Sequence, residues 1–266
     1  MAKVPKPSKI TPRSRTTSST LPGVPFALPK ASPRMKQRAS RLAELLAEHY
    51  PAAYCELNYT SPHELLIATI LSAQTTDVGV NRCTPALFAA FPTPADYALT
   101  TPAQIEPHIR TIGLFRSKAK AVHQTMAMLV SNFGGQVPSD MDSLITLRGV
   151  ARKTASVVLG NCFNINVGFV TDTHVHRLSQ RLGLVPRGTP VPKAERLIMA
   201  AFADHQSQWK DLSHRLIFHG RRACKARGGP GPNGQTGCCA DHPICRELGE
   251  KCELRITARP RKAKAN

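Results

Sequence analysis

Leu147-Arg148-Gly149-Val150-Ala151-Arg152-Lys153 runs directly into Thr154-Ala155-Ser156-Val157-Val158-Leu159. A glycine-containing turn that feeds an apolar helix leaves the first helical N–H groups free to meet an anion. Lys153 falls in the first turn of that helix. The positive end of the helix dipole disfavours a second positive charge there, and burial would add to the effect. A lysine so placed can serve as a neutral amine nucleophile. Taken alone, a lysine beside a glycine turn reads first as a surface charge.

Outward from this turn, the chain has 266 residues, with 36 Lys+Arg against 17 Asp+Glu and a formal charge of +19. The length suits one or two compact domains with tails. A hydrophobic content of 41% excludes a wholly disordered chain. No apolar run approaches the roughly 18–20 residues of a membrane span. So basic a balance argues for a polyanionic partner, nucleic acid before a lipid surface, since no basic amphipathic helix stands out.

Residues 1–34 carry Pro5, Pro7, Pro12, Pro22, Pro25, Pro29 and Pro33 among Lys, Arg, Ser and Thr, and the first carboxylate of the chain is Glu44. This reads as a disordered basic extension: a solvated leader, a nucleic-acid-binding arm or an organelle-targeting leader. Residues 253–266, with Arg259, Arg261, Lys262 and Lys264, form a basic tail. Between them the pattern is helical and the expected class is all-α. Ser61-Pro62-His63-Glu64 and Thr101-Pro102-Ala103-Gln104 are helix starts. Ser117 is expected to open a helix that stops at Gly134-Gly135.

A second candidate element is Thr171-Asp172-Thr173-His174-Val175-His176-Arg177. Asp172 fits a helix N-cap, a role worth about 0.5–2 kcal/mol, and a carboxylate there can do chemistry as well.

Taken in order, Leu71-Ser72-Ala73-Gln74-Thr75-Thr76-Asp77, Thr111-Ile112-Gly113-Leu114-Phe115-Arg116-Ser117-Lys118-Ala119, the turn with Lys153, the Asp172 element and His219-Gly220-Arg221-Arg222-Ala223-Cys224 resemble the endonuclease III family of helix–hairpin–helix DNA glycosylases. The likeness runs from about residue 40 to residue 252. It implies a two-lobed all-α fold: a six-helix barrel lobe of residues 55–166 holding the hairpin, and a second lobe of 35–54 with 167–252 carrying a [4Fe–4S] cluster. DNA would lie in the cleft between them.

The resemblance further implies a monomeric base-excision-repair enzyme acting on double-stranded DNA with a damaged or abasic nucleotide. It would remove oxidised pyrimidines and cut abasic sites by β-elimination. Lys153 and Asp172 are the implied catalytic pair. Gln74, Ile112 and Leu114 match positions that fill or wedge the vacated base stack. Arg148, Gly149, Val150, Ala151 and His174 complete the implied DNA contacts. A monofunctional glycosylase would lack the lysine. Arg148 and Ala151 stand where the family has Pro and Gly, so a DNA-binding member with weak catalysis is the other reading. The implied location is with the DNA, in the bacterial nucleoid or, for a eukaryotic chain, the nucleus or an organelle.

Five of the eight cysteines, Cys224, Cys238, Cys239, Cys245 and Cys252, crowd the C-terminal part. Without a secretory signal such a cluster reads as a metal site. The family spacing is interrupted by the Gly/Pro-rich insertion 228–237. The expected ligands are Cys224, Cys239, Cys245 and Cys252, with Cys238 as alternate to Cys239. Zinc, with His242 as a further ligand, is the competing reading. Cys55, Cys83 and Cys162 read as small core residues.

Overall fold

The computed structural model describes residues 20–226, 242–250 and 252. Among these the regular structure is entirely helical. The helices are α1 Pro33–His49, α2 Pro62–Leu71, α3 Asp77–Ala90, α4 Pro94–Leu99, α5 Pro102–Ile109, α6 Phe115–Phe133, α7 Met141–Thr146, α8 Arg152–Phe163, α9 Thr173–Arg181, α10 Val191–Ala201, α11 Trp209–Arg222 and α12 Pro243–Leu248, with a 3-10 turn at Ala203–Gln208. No helix among the described residues is long and apolar enough to cross a membrane.

Local chemistry explains the many short helices. Proline occupies the first position of α1, α2, α4, α5 and α12, where its missing N–H costs nothing. Ser32, Ser61, Thr93 and Asp140 each accept from the backbone N–H three residues on. Thr101 and Gln104 form a reciprocal capping box. In α2, Glu64 reaches past the cap to the Thr60 N–H and hydroxyl. The helix expected to open at Ser117 opens earlier, at Phe115, because Leu114 turns the chain with φ +59°; it ends at Gly134, also at φ +59°.

Two cores result. The first gathers α2 to α8 around α2, whose Leu65 to Leu71 are all buried; a helix apolar on every side belongs inside. Val122, Met126 and Leu129 of α6 and Val158 and Leu159 of α8 close over it. The second gathers Val24, Leu28, α1 and the helices from α9 onward. Its centre is Trp209, fully buried, with Nε1–H donating to the Phe202 carbonyl at 2.9 Å. Cys83 is buried in the first core, and Cys55 and Cys162 pack against it.

The expectation of a disordered extension through residue 34 needs correcting for its second half, while residues 1–19 lie outside the described residues. Val24 and Leu28 are buried, and the Pro22 carbonyl accepts from Gln206 Nε2 at 2.8 Å. Composition averaged over the segment hid the apolar Leu21, Val24, Phe26 and Leu28, which have a core to join.

Candidate active site

The turn between α7 and α8 is a hairpin built on Gly149, at φ +77°. The Val150 N–H donates to the Leu147 carbonyl at 3.1 Å, and the Val150 side chain is buried. That N–H is therefore spent inside the turn. Gly149 and Ala151 donate to no backbone carbonyl among the described residues. Thr125 of α6 donates its hydroxyl to the Arg148 carbonyl, tying the hairpin to the first core. Ala151 has φ −86° and ψ 165°, extended backbone open to any residue. Its methyl group therefore imposes no strain where the family has glycine.

The N-terminus of α8 has no side-chain cap and no acidic residue in its first turn. Lys153 lies at its second position and is exposed. Arg152 beside it is occupied: Nη2 donates to the Val167 carbonyl at 3.0 Å and Nε to Glu195 Oε1 at 3.3 Å. Arg148 is exposed.

Asp172 caps α9, its Oδ1 accepting from the His174 and Val175 N–H groups at 2.8 Å each. Among the described residues no ion pair joins it to Lys153. Thr171, where the family has an apolar residue, is buried with its hydroxyl donating to the Phe169 carbonyl at 3.1 Å, so the polar atom is satisfied. His174 is half-buried, and burial holds its pKa below the usual imidazole value. Its Nδ1 faces Arg177 Nη2 at 3.2 Å. Gly220 of α11 lets α9 approach: a Cβ there would sit 2.9 Å from His174 Cβ and Nδ1.

Gln74 and Leu114 share a property that sequence alone does not display. They are two of the three non-glycine residues with positive φ among the described residues, at 54° and 59°. Gln74 is exposed and Leu114 is 61% exposed. An aliphatic side chain held outside the core on a left-handed backbone is costly, and such strain marks functional positions. Ile112 is instead 4% exposed and part of the first core. Its side chain thus packs on its own protein here, where that of Leu114 stands free. Nearby, Arg221 of α11 pairs with Glu56 and, at 2.8 Å, with Asp77 at the start of α3. Burial opposes the Glu56 charge, and the hydrogen bonds from Arg221 and Arg222 outweigh it, leaving that carboxyl below its usual pKa.

The thiols form a separate centre. Cys224, Cys245 and His219 are buried and place donor atoms within 4.8 Å of one another. His219 Nε2 lies 3.3 Å from Cys245 Sγ, with its Nδ1 2.9 Å from the Tyr50 hydroxyl. Arg181 Nη1 lies 3.3 Å from Cys224 Sγ. Burial pushes the His219 pKa down to about 4, so the neutral ring can offer Nε2–H to sulfur while Nδ1 accepts from Tyr50. N–H donors aimed at two thiols suit thiolate ligands of a metal centre. Cys252 is buried, its N–H donating to the Gly249 carbonyl at 3.0 Å. Cys238 and Cys239 lie outside the described residues. His242 is corrected as a zinc ligand: Nδ1 caps α12 at Ile244 N–H and Nε2 lies 3.1 Å from the Tyr50 hydroxyl, so both ring nitrogens are engaged.

Sequence reasoning missed His219 and Arg181. His219 stands inside a stretch already singled out. Arg181 carried no local signal, because its partners, the Lys225 and Ala226 carbonyls and Cys224 Sγ, are more than forty residues away.

The model of the HhH-GPD superfamily of base excision DNA repair proteins matches residues 67–203. Endonuclease III of Synechocystis sp. is 46% identical over 192 residues, 72% of this chain and 86% of that protein. An endonuclease III solved in a non-covalent complex with DNA matches with TM-score 0.74 at 38% identity, over 84% of this chain and 98% of its own. An endonuclease III trapped as a covalent intermediate with DNA, in an estranged-adenine complex, matches with the same TM-score and identity over 83% of this chain and 98% of its own.

Proposed function

This chain belongs to the HhH-GPD superfamily of base excision DNA repair proteins and to its endonuclease III family, and from that footing we propose the residues by which it works as a DNA N-glycosylase and abasic-site lyase. The observation that carries the proposal is an amine, Lys153, on an acid-free, uncapped helix N-terminus, in a chain that also presents a carboxylate, Asp172, as the cap of α9.

The substrate is double-stranded DNA carrying an oxidised pyrimidine or an abasic nucleotide. Phosphates meet the N–H groups of Gly149 and Ala151 and the first turn of α8, with Arg148 adding a cation. Bound DNA then covers the exposed Lys153 and excludes water from it, which favours the uncharged amine. Gln74 and Leu114 take up space vacated as the damaged nucleotide leaves the stack, a step costing a few kcal/mol and least at damaged pairs.

Lys153 Nζ attacks the sugar carbon bearing the base. The base departs with the glycosidic electron pair and a proton, and loss of the amine proton with ring opening gives an imine. The imine acidifies the adjacent sugar C–H; removal of that proton expels the 3′ phosphate by β-elimination. Asp172 Oδ1 is held by two backbone N–H groups, which fixes the carboxylate to stabilise positive charge on the sugar and assist proton removal.

The thiol centre suits a [4Fe–4S] cluster held by Cys224, Cys245, Cys252 and one of Cys238 and Cys239. The cluster would cross-link this part of the chain and supply no step of the chemistry. Arg177 donates to the Gly220 and Cys224 carbonyls at 3.1 and 2.9 Å, and Arg181 reaches Cys224 Sγ. The helix capped by Asp172 is thus bonded to the thiol-bearing segment.

Oligonucleotides each carrying one defined lesion, assayed separately for base release and strand cutting, test the substrate reading. Release and cutting at oxidised pyrimidines support it; release without cutting contradicts the lyase step. A brown absorption band in the purified protein supports iron–sulfur; zinc alone by elemental analysis contradicts it.

A further inference from the structure

Lys118 is the buried charge that the mechanism above leaves unused. It lies in the first turn of α6 and is 5% exposed. Its Nζ donates to Thr75 Oγ1 at 2.7 Å. No carboxylate pairs with it among the described residues, and the other titratable group facing it is the Cys83 thiol. An ammonium buried without a counter-ion is costly, so a position that keeps one invites a reason other than stability.

The surroundings supply it. Thr75 follows Gln74, and the Lys118 backbone N–H donates to the Leu114 carbonyl at 3.0 Å. One residue therefore ties both left-handed positions, Gln74 by its side chain through Thr75 and Leu114 by its backbone. Neither loop has another bond to the other among the described residues that would hold the two at a fixed separation. Left-handed leucine and glutamine persist only where their surroundings over-determine them.

We propose that Lys118 is a positioning residue for base extrusion, locking the Gln74 and Leu114 loops into one rigid double probe of the DNA stack through its bond to Thr75. This rests on the glycosylase/lyase reading above. It assigns Lys118 no contact with the reacting atoms. Its effect falls where a base opposite the lesion must be displaced, and it vanishes where that base is already missing.

The test uses the full chain with Lys118→Met, Thr75→Val and the conservative Thr75→Ser, which keeps the hydroxyl. Nicking is measured at an abasic site opposite guanine and at the same site opposite a tetrahydrofuran gap. The expected result for Lys118→Met and Thr75→Val is a loss of about tenfold or more opposite guanine and under about threefold opposite the gap, with Thr75→Ser near native. 2-Aminopurine placed opposite the site should brighten on binding the native chain and much less with the two disrupting variants. Thermal midpoints should hold or rise for Lys118→Met, since a buried lysine gives way to an apolar chain of similar volume. Equal losses on both duplexes, or native brightening in both disrupting variants, would overturn the proposal. Failure of the native chain to nick either duplex would overturn the lyase reading itself and this proposal with it.

Discussion

The guanidinium of Arg152 lies over the ring of Phe26, 4.6 Å from its centroid. The residue next to Lys153 is thereby stacked on the N-terminal segment of the chain. Arg196 of α10 lies over the same ring at 4.4 Å, so Phe26 joins the start of α8 to a helix of the second core. Two such contacts at a half-buried site are worth about 1–2 kcal/mol together. Phe26→Ala should lower the unfolding free energy by that amount in urea titrations, and an unchanged midpoint would contradict the clamp.

Leu114 carries its strain on the backbone, so glycine should relieve it. Replacing a left-handed leucine by glycine should leave stability unchanged or raise it by up to about 1 kcal/mol. The same substitution removes the side chain proposed to wedge the base stack and should depress cutting of fully paired lesion duplexes by about tenfold or more. Calorimetry and a nicking assay on one preparation check both halves. Lost stability with retained cutting would contradict the assignment.

His214 on α11 is buried, with Nε2 3.0 Å from Asn161 Oδ1. Burial pushes its pKa down to about 4. A histidine with a depressed folded pKa contributes fully above its unfolded value near 6.5, and the contribution is lost as pH falls from there through about 4. The full loss is roughly 3 kcal/mol. His214→Gln, which keeps a donor toward Asn161, should show a shallower fall in stability across that window. Parallel curves for native and variant would show that this histidine does not set the acid limb.

Gly220 leaves no space for a side chain against His174. Gly220→Ala should push α9 away from α11 and move Asp172 with it, at a cost of about 1–3 kcal/mol. Lyase activity measured well below the variant's melting temperature should still fall, because the carboxylate is displaced. Native activity in a folded Gly220→Ala chain would show that the position of Asp172 tolerates the shift.

What was legible in the sequence is what is local. Ser61, Thr101 and Asp172 meet their partners two or three residues on, so spacing exposes them, and the Gly149 hairpin is equally short-range. The motif order carried the endonuclease III resemblance. Burial was less legible. Ile112 and Leu114 are two residues apart and equally apolar, yet one is in the core and the other outside, because the left-handed turn at Leu114 swings it away. The bonds from Arg181 to Cys224 and from Lys118 to Thr75 depend on helices packed far apart in sequence, which no local pattern encodes.

The most direct measurement is borohydride trapping on abasic-site duplex DNA. The native chain should become covalently attached to the DNA, and peptide mapping should place the adduct on Lys153; Lys153→Ala should give no adduct while still binding the duplex. An adduct on another lysine, or undiminished trapping in Lys153→Ala, would contradict the assignment of the nucleophile.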